Sequence, residues 1–128
     1  MNYKIEYFSS SEFLCPCCKK GSPAALLVLW CDLLRRSWGD PIIVNSGWRC
    51  EPHNKEVGGS QTSRHKIGCA ADCRITDAQG QRWLEFVAMA EGLCSVPGFE
   101  FRVYKTFVHI AVPREESARQ WNGGIISI

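Results

Sequence analysis

His65 and Asp72 stand seven residues apart in Ser63-Arg64-His65-Lys66-Ile67-Gly68-Cys69-Ala70-Ala71-Asp72, with small residues between them. An imidazole nitrogen and a carboxylate oxygen at that spacing can bend back onto one cation, and both donor types suit Zn²⁺. A catalytic zinc typically takes three protein ligands and leaves one position open. The histidines of the chain are His53, His65 and His109. His109 lies in Thr106-Phe107-Val108-His109-Ile110-Ala111-Val112, a stretch that reads as a strand. It is the expected third ligand. One zinc per chain on His65, Asp72 and His109 would carry a net charge of about +1 and remain a Lewis acid. His53 lies in a loop rich in Gly, Pro and Asn and is expected to hold that loop.

These residues need a frame. Ser22-Pro23 suits a helix start, and Leu26, Leu29, Trp30, Leu33 and Leu34 then recur at helical spacing until Gly39-Asp40-Pro41 stops the run. Residues 42–44 form a short β-branched run before the turn-prone Asn45-Ser46-Gly47. Residues 70–75 are predicted to be a strand, with Asp72, Arg74 and Thr76 on one face and Cys73 and Ile75 on the other. Thr76-Asp77-Ala78-Gln79 has the form of a capping box, opening a helix that carries Trp83, Val87 and Ala90 and ends at Gly92. After Pro97-Gly98, residues 99–104 alternate, and Lys105-Thr106 makes a tight connection into the His109 strand. Residues 51–62 read as a loop, and the tail as a polar helix-like piece before Ile125-Ile126. The expected fold is α+β: a single domain over residues 1–128, with a small antiparallel sheet flanked by helices.

At 128 residues the chain can bury a sizeable core. Its net charge of +2 gives no electrostatic footprint for nucleic acid. No apolar run approaches the ~20 residues of a membrane helix. Eight cysteines are many for this length, and eight allow about 105 pairings. Three of them crowd into Cys15-Pro16-Cys17-Cys18. Disulfides, buried thiols and metal binding all remain open for this set.

The decapeptide resembles the Ser-x-His-x-x-Gly-x-Ala-x-Asp signature of the D-alanyl-D-alanine-type zinc peptidases, the M15 murein peptidases. Ser63, His65, Gly68, Ala70 and Asp72 occupy its fixed positions. Ser46-Gly47-Trp48-Arg49 is similar to the family's Ser-Gly-Tyr-Arg element, Pro52-His53-Asn54 with Gly58-Gly59 to the loop after it, and Phe107-Val108-His109 to its last metal-ligand strand. The resemblance implies a hedgehog/DD-peptidase-like fold and a zinc-dependent peptidase that cuts an amide next to a D-amino acid in murein stem or cross-link peptides. It implies that Arg49 and Ser63 hold the peptide. The partner expected is a peptidoglycan peptide, with no nucleic acid, no membrane and a monomeric protein.

One part of the family pattern is missing. Many members carry an acidic residue three positions before the last histidine, or an aspartate two after it; here those positions are Thr106 and Ala111. The nearest acidic residue on an adjoining strand is Glu100, with Glu115 and Glu116 further on. Counted across a Lys105-Thr106 turn, Glu100 is expected a few rungs from His109, reaching the site as general base only through a bulge or a longer turn. The rival expectation is a non-catalytic zinc module that binds wall peptide or a protein partner. Residues 1–7 lack the apolar core of a signal peptide. Action at the bacterial wall is therefore expected to depend on phage lysis, virion packaging or another export route.

Overall fold

The computed structural model describes residues 1–127. In chain order the elements are β1 (Asn2–Tyr3), α1 (Ala25–Trp38), β2 (Ile42–Ser46), α2 (Glu51–Glu56), β3 (Ala70–Ile75), α3 (Gly80–Leu93), β4 (Glu100–Val103), β5 (Val108–Ala111) and β6 (Ile126–Ser127). Short 3₁₀ turns lie at Ser10–Phe13, Arg64–Ile67 and Arg114–Ala118. The expected α+β class holds. A four-stranded antiparallel sheet runs in the order β2-β3-β5-β4, and β1 pairs with β6 in a separate ribbon. Among the described residues, no helix is long and apolar enough to cross a membrane.

Helix α1 begins after Pro23 rather than at it. The Ala24 N–H donates to the Gly68 carbonyl (2.9 Å) and the Trp121 N–H to the Pro23 carbonyl (2.9 Å), which holds this stretch extended until Ala25. The helix buries Leu27, Val28 and Leu34 and stops at Gly39, a left-handed cap whose N–H returns to the Arg35 carbonyl. Helix α3 packs beside it. The Trp30 indole donates to the Leu93 carbonyl (2.9 Å), and Trp38 meets Phe86 edge-on at 5.3 Å. The expected capping box at Thr76 is not used; residues 76–79 carry the chain from the sheet to the helix layer, and α3 opens at Gly80. Cys73, Ile75, Val108 and Ile110 join these helices in the buried core.

One charge is buried within α1. Asp32 is fully enclosed and accepts from the Tyr3 hydroxyl (3.0 Å), the Tyr7 N–H (2.9 Å) and Arg36 Nε (3.1 Å). An enclosed carboxylate is tolerated only when its lone pairs are satisfied in this way. Asp32 thereby ties the N-terminal segment to α1.

Gly68 closes the 3₁₀ turn that carries His65. Its φ of +75° lies in the left-handed region, and a Cβ there would run into the Ser22 carbonyl oxygen. Gly68→Ala is expected to cost at least ~1–3 kcal/mol from backbone strain alone, with the collision adding to it. Denaturant unfolding of the purified variant measures this, and an unchanged midpoint would refute it.

Candidate metal centre

The sheet register brings the central residues into line. Asp72 on β3 is opposite His109 on β5, which is opposite Arg102 on β4; on the other side Asp72 faces Ser46 on β2. One rung across all four strands therefore carries Ser46, Asp72, His109 and Arg102. A bulge between Val44 and Ser46 makes this possible by setting Asn45 aside, where its side chain accepts from Arg74 Nε (2.9 Å). A neighbouring rung on the same face holds Ala70, Ala111 and Glu100. Both alanines are buried.

His65 reaches the same point from outside the sheet. The Ser63 hydroxyl oxygen caps its turn by accepting from the His65 N–H (3.2 Å). The imidazole is buried, and Nδ1 lies 2.7 Å from the Gly47 carbonyl oxygen. A carbonyl only accepts, so Nδ1 carries the proton and Nε2 faces Asp72 Oδ1 at 3.2 Å. His109 is held in the opposite sense. Its Nε2 lies 3.0 Å from Glu100 Oε1, and its Nδ1 lies 2.9 Å from the same Asp72 oxygen.

Burial raises the Glu100 pKa, but the bond with His109 and the Arg64 and Arg102 charges outweigh it and hold the carboxyl below its usual range. Glu100 is thus an ionised acceptor, and the His109 proton sits on Nε2. In their neutral forms both imidazoles then turn a lone pair toward Asp72 Oδ1. Burial also works against ionisation of Asp72, yet its close contacts with His109 and His65 outweigh it and keep the carboxyl well below the normal carboxylate range. Ligand atoms of His65, Asp72 and His109 all lie within 4.8 Å of one another. Three lone-pair donors converging on one buried point form a set that a cation completes, and two nitrogens with one carboxylate oxygen fit zinc.

Arg49 sits against this group. Its Nη2 donates to Asp72 Oδ2 (3.1 Å), its Nε to Ser46 Oγ (3.0 Å) and its Nη1 to Asn54 Oδ1 (3.3 Å). Three of the five guanidinium N–H donors are engaged, leaving two for the cleft. The expectation that Glu100 needs a bulge to approach His109 is corrected: the Tyr104 N–H closes the hairpin on the Phe107 carbonyl (2.9 Å), so Glu100 sits diagonally across from His109. It meets the outer nitrogen of that ring. His53 lies on α2, outside the converging group.

An open cleft of about 420 Å³ lies over the three residues. Arg49, Arg64, Arg102 and Arg114 line it, and Asp72 and Glu100 are its acidic groups. Arg64 and Arg114 are committed to backbone carbonyls, whereas the Arg102 side chain is 60% exposed. The Gly47 carbonyl, Asn54 and Arg102 had no place in the sequence-based site. A backbone acceptor leaves no trace in residue identity, and the Arg102 position follows only from strand register.

A family model described as Peptidase M15 matches residues 6–111. Over 89 residues the chain is 35% identical to the zinc D-Ala-D-Ala carboxypeptidase of Streptomyces albus G. That overlap covers 68% of this chain and 34% of the relative, so the chain spans about a third of that protein's length.

Proposed function

The chain belongs to the M15 peptidase family, and from that premise we propose that it is a zinc-dependent peptidase. It hydrolyses an amide bond next to a D-amino acid in peptidoglycan stem or cross-link peptides, in phage lysis or wall remodelling. The observation that carries this reading is the convergence of His65 Nε2, Asp72 Oδ1 and His109 Nδ1 beneath an open, arginine-lined cleft. Zinc, when held by these residues, supplies a Lewis acid that polarises a carbonyl and lowers the pKa of water toward ~7.

The chain's own groups do the rest. The Gly47 carbonyl and Glu100 fix the two imidazole tautomers, and Arg49 fixes the outer oxygen of Asp72. The remaining Arg49 donors, with the free proton of the Ser63 hydroxyl, suit a peptide carbonyl or carboxylate. Arg102, exposed and 3.7 Å from Glu100 Oε2, adds a cation on the same rung, which favours a substrate with a nearby carboxylate.

The test is incubation of purified protein with labelled murein, with and without a chelator. Stem-peptide fragments or D-alanine released only in the metal-loaded sample support the proposal. Retention on sacculi without any release would overturn it in favour of a zinc-containing binding module. The absence of a carboxylate at Thr106 and Ala111, with Glu100 already bonded to His109, is what favours that second reading.

Glu100→Gln separates two roles for this carboxylate. Glutamine keeps an oxygen that accepts from His109 Nε2, so a positioning role predicts a loss of about 10-fold, at the mild end of the range for outer partners of metal ligands. The acid limb of the pH profile is expected to remain. A loss of roughly 10²–10⁴ with that limb abolished would make Glu100 the proton acceptor instead.

A further inference from the structure

A second group of metal-ligating side chains lies apart from the histidines. Cys15, Cys17 and Cys18 sit on a turn just after the 3₁₀ turn Ser10–Phe13, and Cys50 is the residue that caps α2. Their sulphur atoms all lie within 4.8 Å of one another. Cys15 Sγ is 3.5 Å from Cys17 Sγ and 3.6 Å from Cys50 Sγ, and Cys17 Sγ is 3.2 Å from Cys50 Sγ.

This is not how disulfides are arranged. A disulfide pairs sulphurs at about 2.05 Å, leaving each with one partner. Here Cys15 and Cys17 each approach the other and Cys50, and all four thiols are free. Zn–S bonds of about 2.3 Å set tetrahedral sulphurs roughly 3.8 Å apart, close to the observed spacing. We propose that Cys15, Cys17, Cys18 and Cys50 form a closed tetrathiolate site for a structural zinc ion, separate from His65, Asp72 and His109.

The backbone around Cys15 is built to hold a thiolate. The backbone N–H groups of Cys50, Cys17 and Cys18 are all directed at its sulphur. The loop is closed on itself by Cys15 N–H to the Lys20 carbonyl (2.9 Å) and Lys19 N–H to the Cys15 carbonyl (2.8 Å). Lys19 accepts a left-handed φ of 58° to complete it. Four thiolate donors that fill a tetrahedral coordination shell are the ligand set of a structural, not a catalytic, zinc.

The position of Cys50 gives the ion its purpose. It follows Arg49, which holds Asp72, and closes the turn whose Gly47 carbonyl holds His65. Trp48 N–H also donates to the Phe13 carbonyl (2.8 Å). An ion on the four thiolates would clamp the N-terminal segment to the turn that orients both ligands.

Metal analysis of the full chain tests this without any peptidase assay. The parent is expected to hold two zinc ions, the His65→Ala/His109→Ala variant one, and the Cys17→Ser/Cys18→Ser variant one. Cobalt substituted into the histidine variant is expected to show thiolate-to-metal charge transfer. If the cysteine variant fails to fold, X-ray absorption on the parent decides, with sulphur scatterers at about 2.3 Å expected. A single zinc that disappears in the histidine variant, no sulphur scattering, or a disulfide among these cysteines by non-reducing mass spectrometry would each overturn the proposal. None of these readouts depends on whether murein is cleaved.

Discussion

His65→Ala is expected to strip the ion from the histidine site and to remove murein hydrolysis with it. Two donors, Asp72 Oδ1 and His109 Nδ1, would remain, and a pair does not define a zinc site that needs three protein ligands. The loss should exceed the roughly 10–100-fold that follows from disturbing an outer partner of a metal ligand. His65 is also the partner of the Gly47 carbonyl (2.7 Å), so some stability is expected to go as well. Circular dichroism must show the fold intact before metal content is read. Full zinc retention at this site in both His65→Ala and His109→Ala would refute the assignment.

Arg49→Lys has the next largest expected effect. Lysine keeps the charge but presents a point rather than a fork. It can satisfy one of Ser46, Asn54 and Asp72, where arginine satisfies all three. Loss of charge-assisted bonds costs about 1–3 kcal/mol, which corresponds to a fall in kcat/KM of roughly 5–150-fold. The arginine side chain is only 13% exposed, so water offers little replacement. Zinc affinity should fall along with kcat/KM, because Asp72 Oδ2 loses its donor. A lysine variant with the parent's rate and zinc affinity would show that the fork is not needed for either task.

The convergence of His65, Asp72 and His109 was legible because it is written in residue types. His65 and Asp72 lie within one short motif, and His109 stands alone in an apolar strand. The division of β3 into a site face and a core face was legible from its alternation. Other features depend on what identity does not encode. The hairpin closes on Lys105-Thr106 as the sequence suggested; what counting rungs missed is that Glu100, one step along the same face from Arg102, still reaches the His109 ring diagonally. Helix α2 was hidden because Glu51-Pro52-His53-Asn54-Lys55-Glu56 has no apolar period. The burial of Asp32 was hidden because its partners Tyr3 and Tyr7 come from a segment with no pattern of its own.

The single rung through Ser46, Asp72, His109 and Arg102 makes the ion a proofreader of strand alignment. Sliding β3 by one residue against β5 would bring Ala71 or Cys73 opposite His109 and turn Asp72 toward the core. Neither misaligned sheet can assemble the same three donors. An ion that binds only the correct alignment favours it by mass action, by about 2.7 kcal/mol when free metal stands at a hundred times its dissociation constant. Zinc present during refolding would then select among compact states that differ by one step of the ladder, and errors in pairing would be discarded before the cleft is complete.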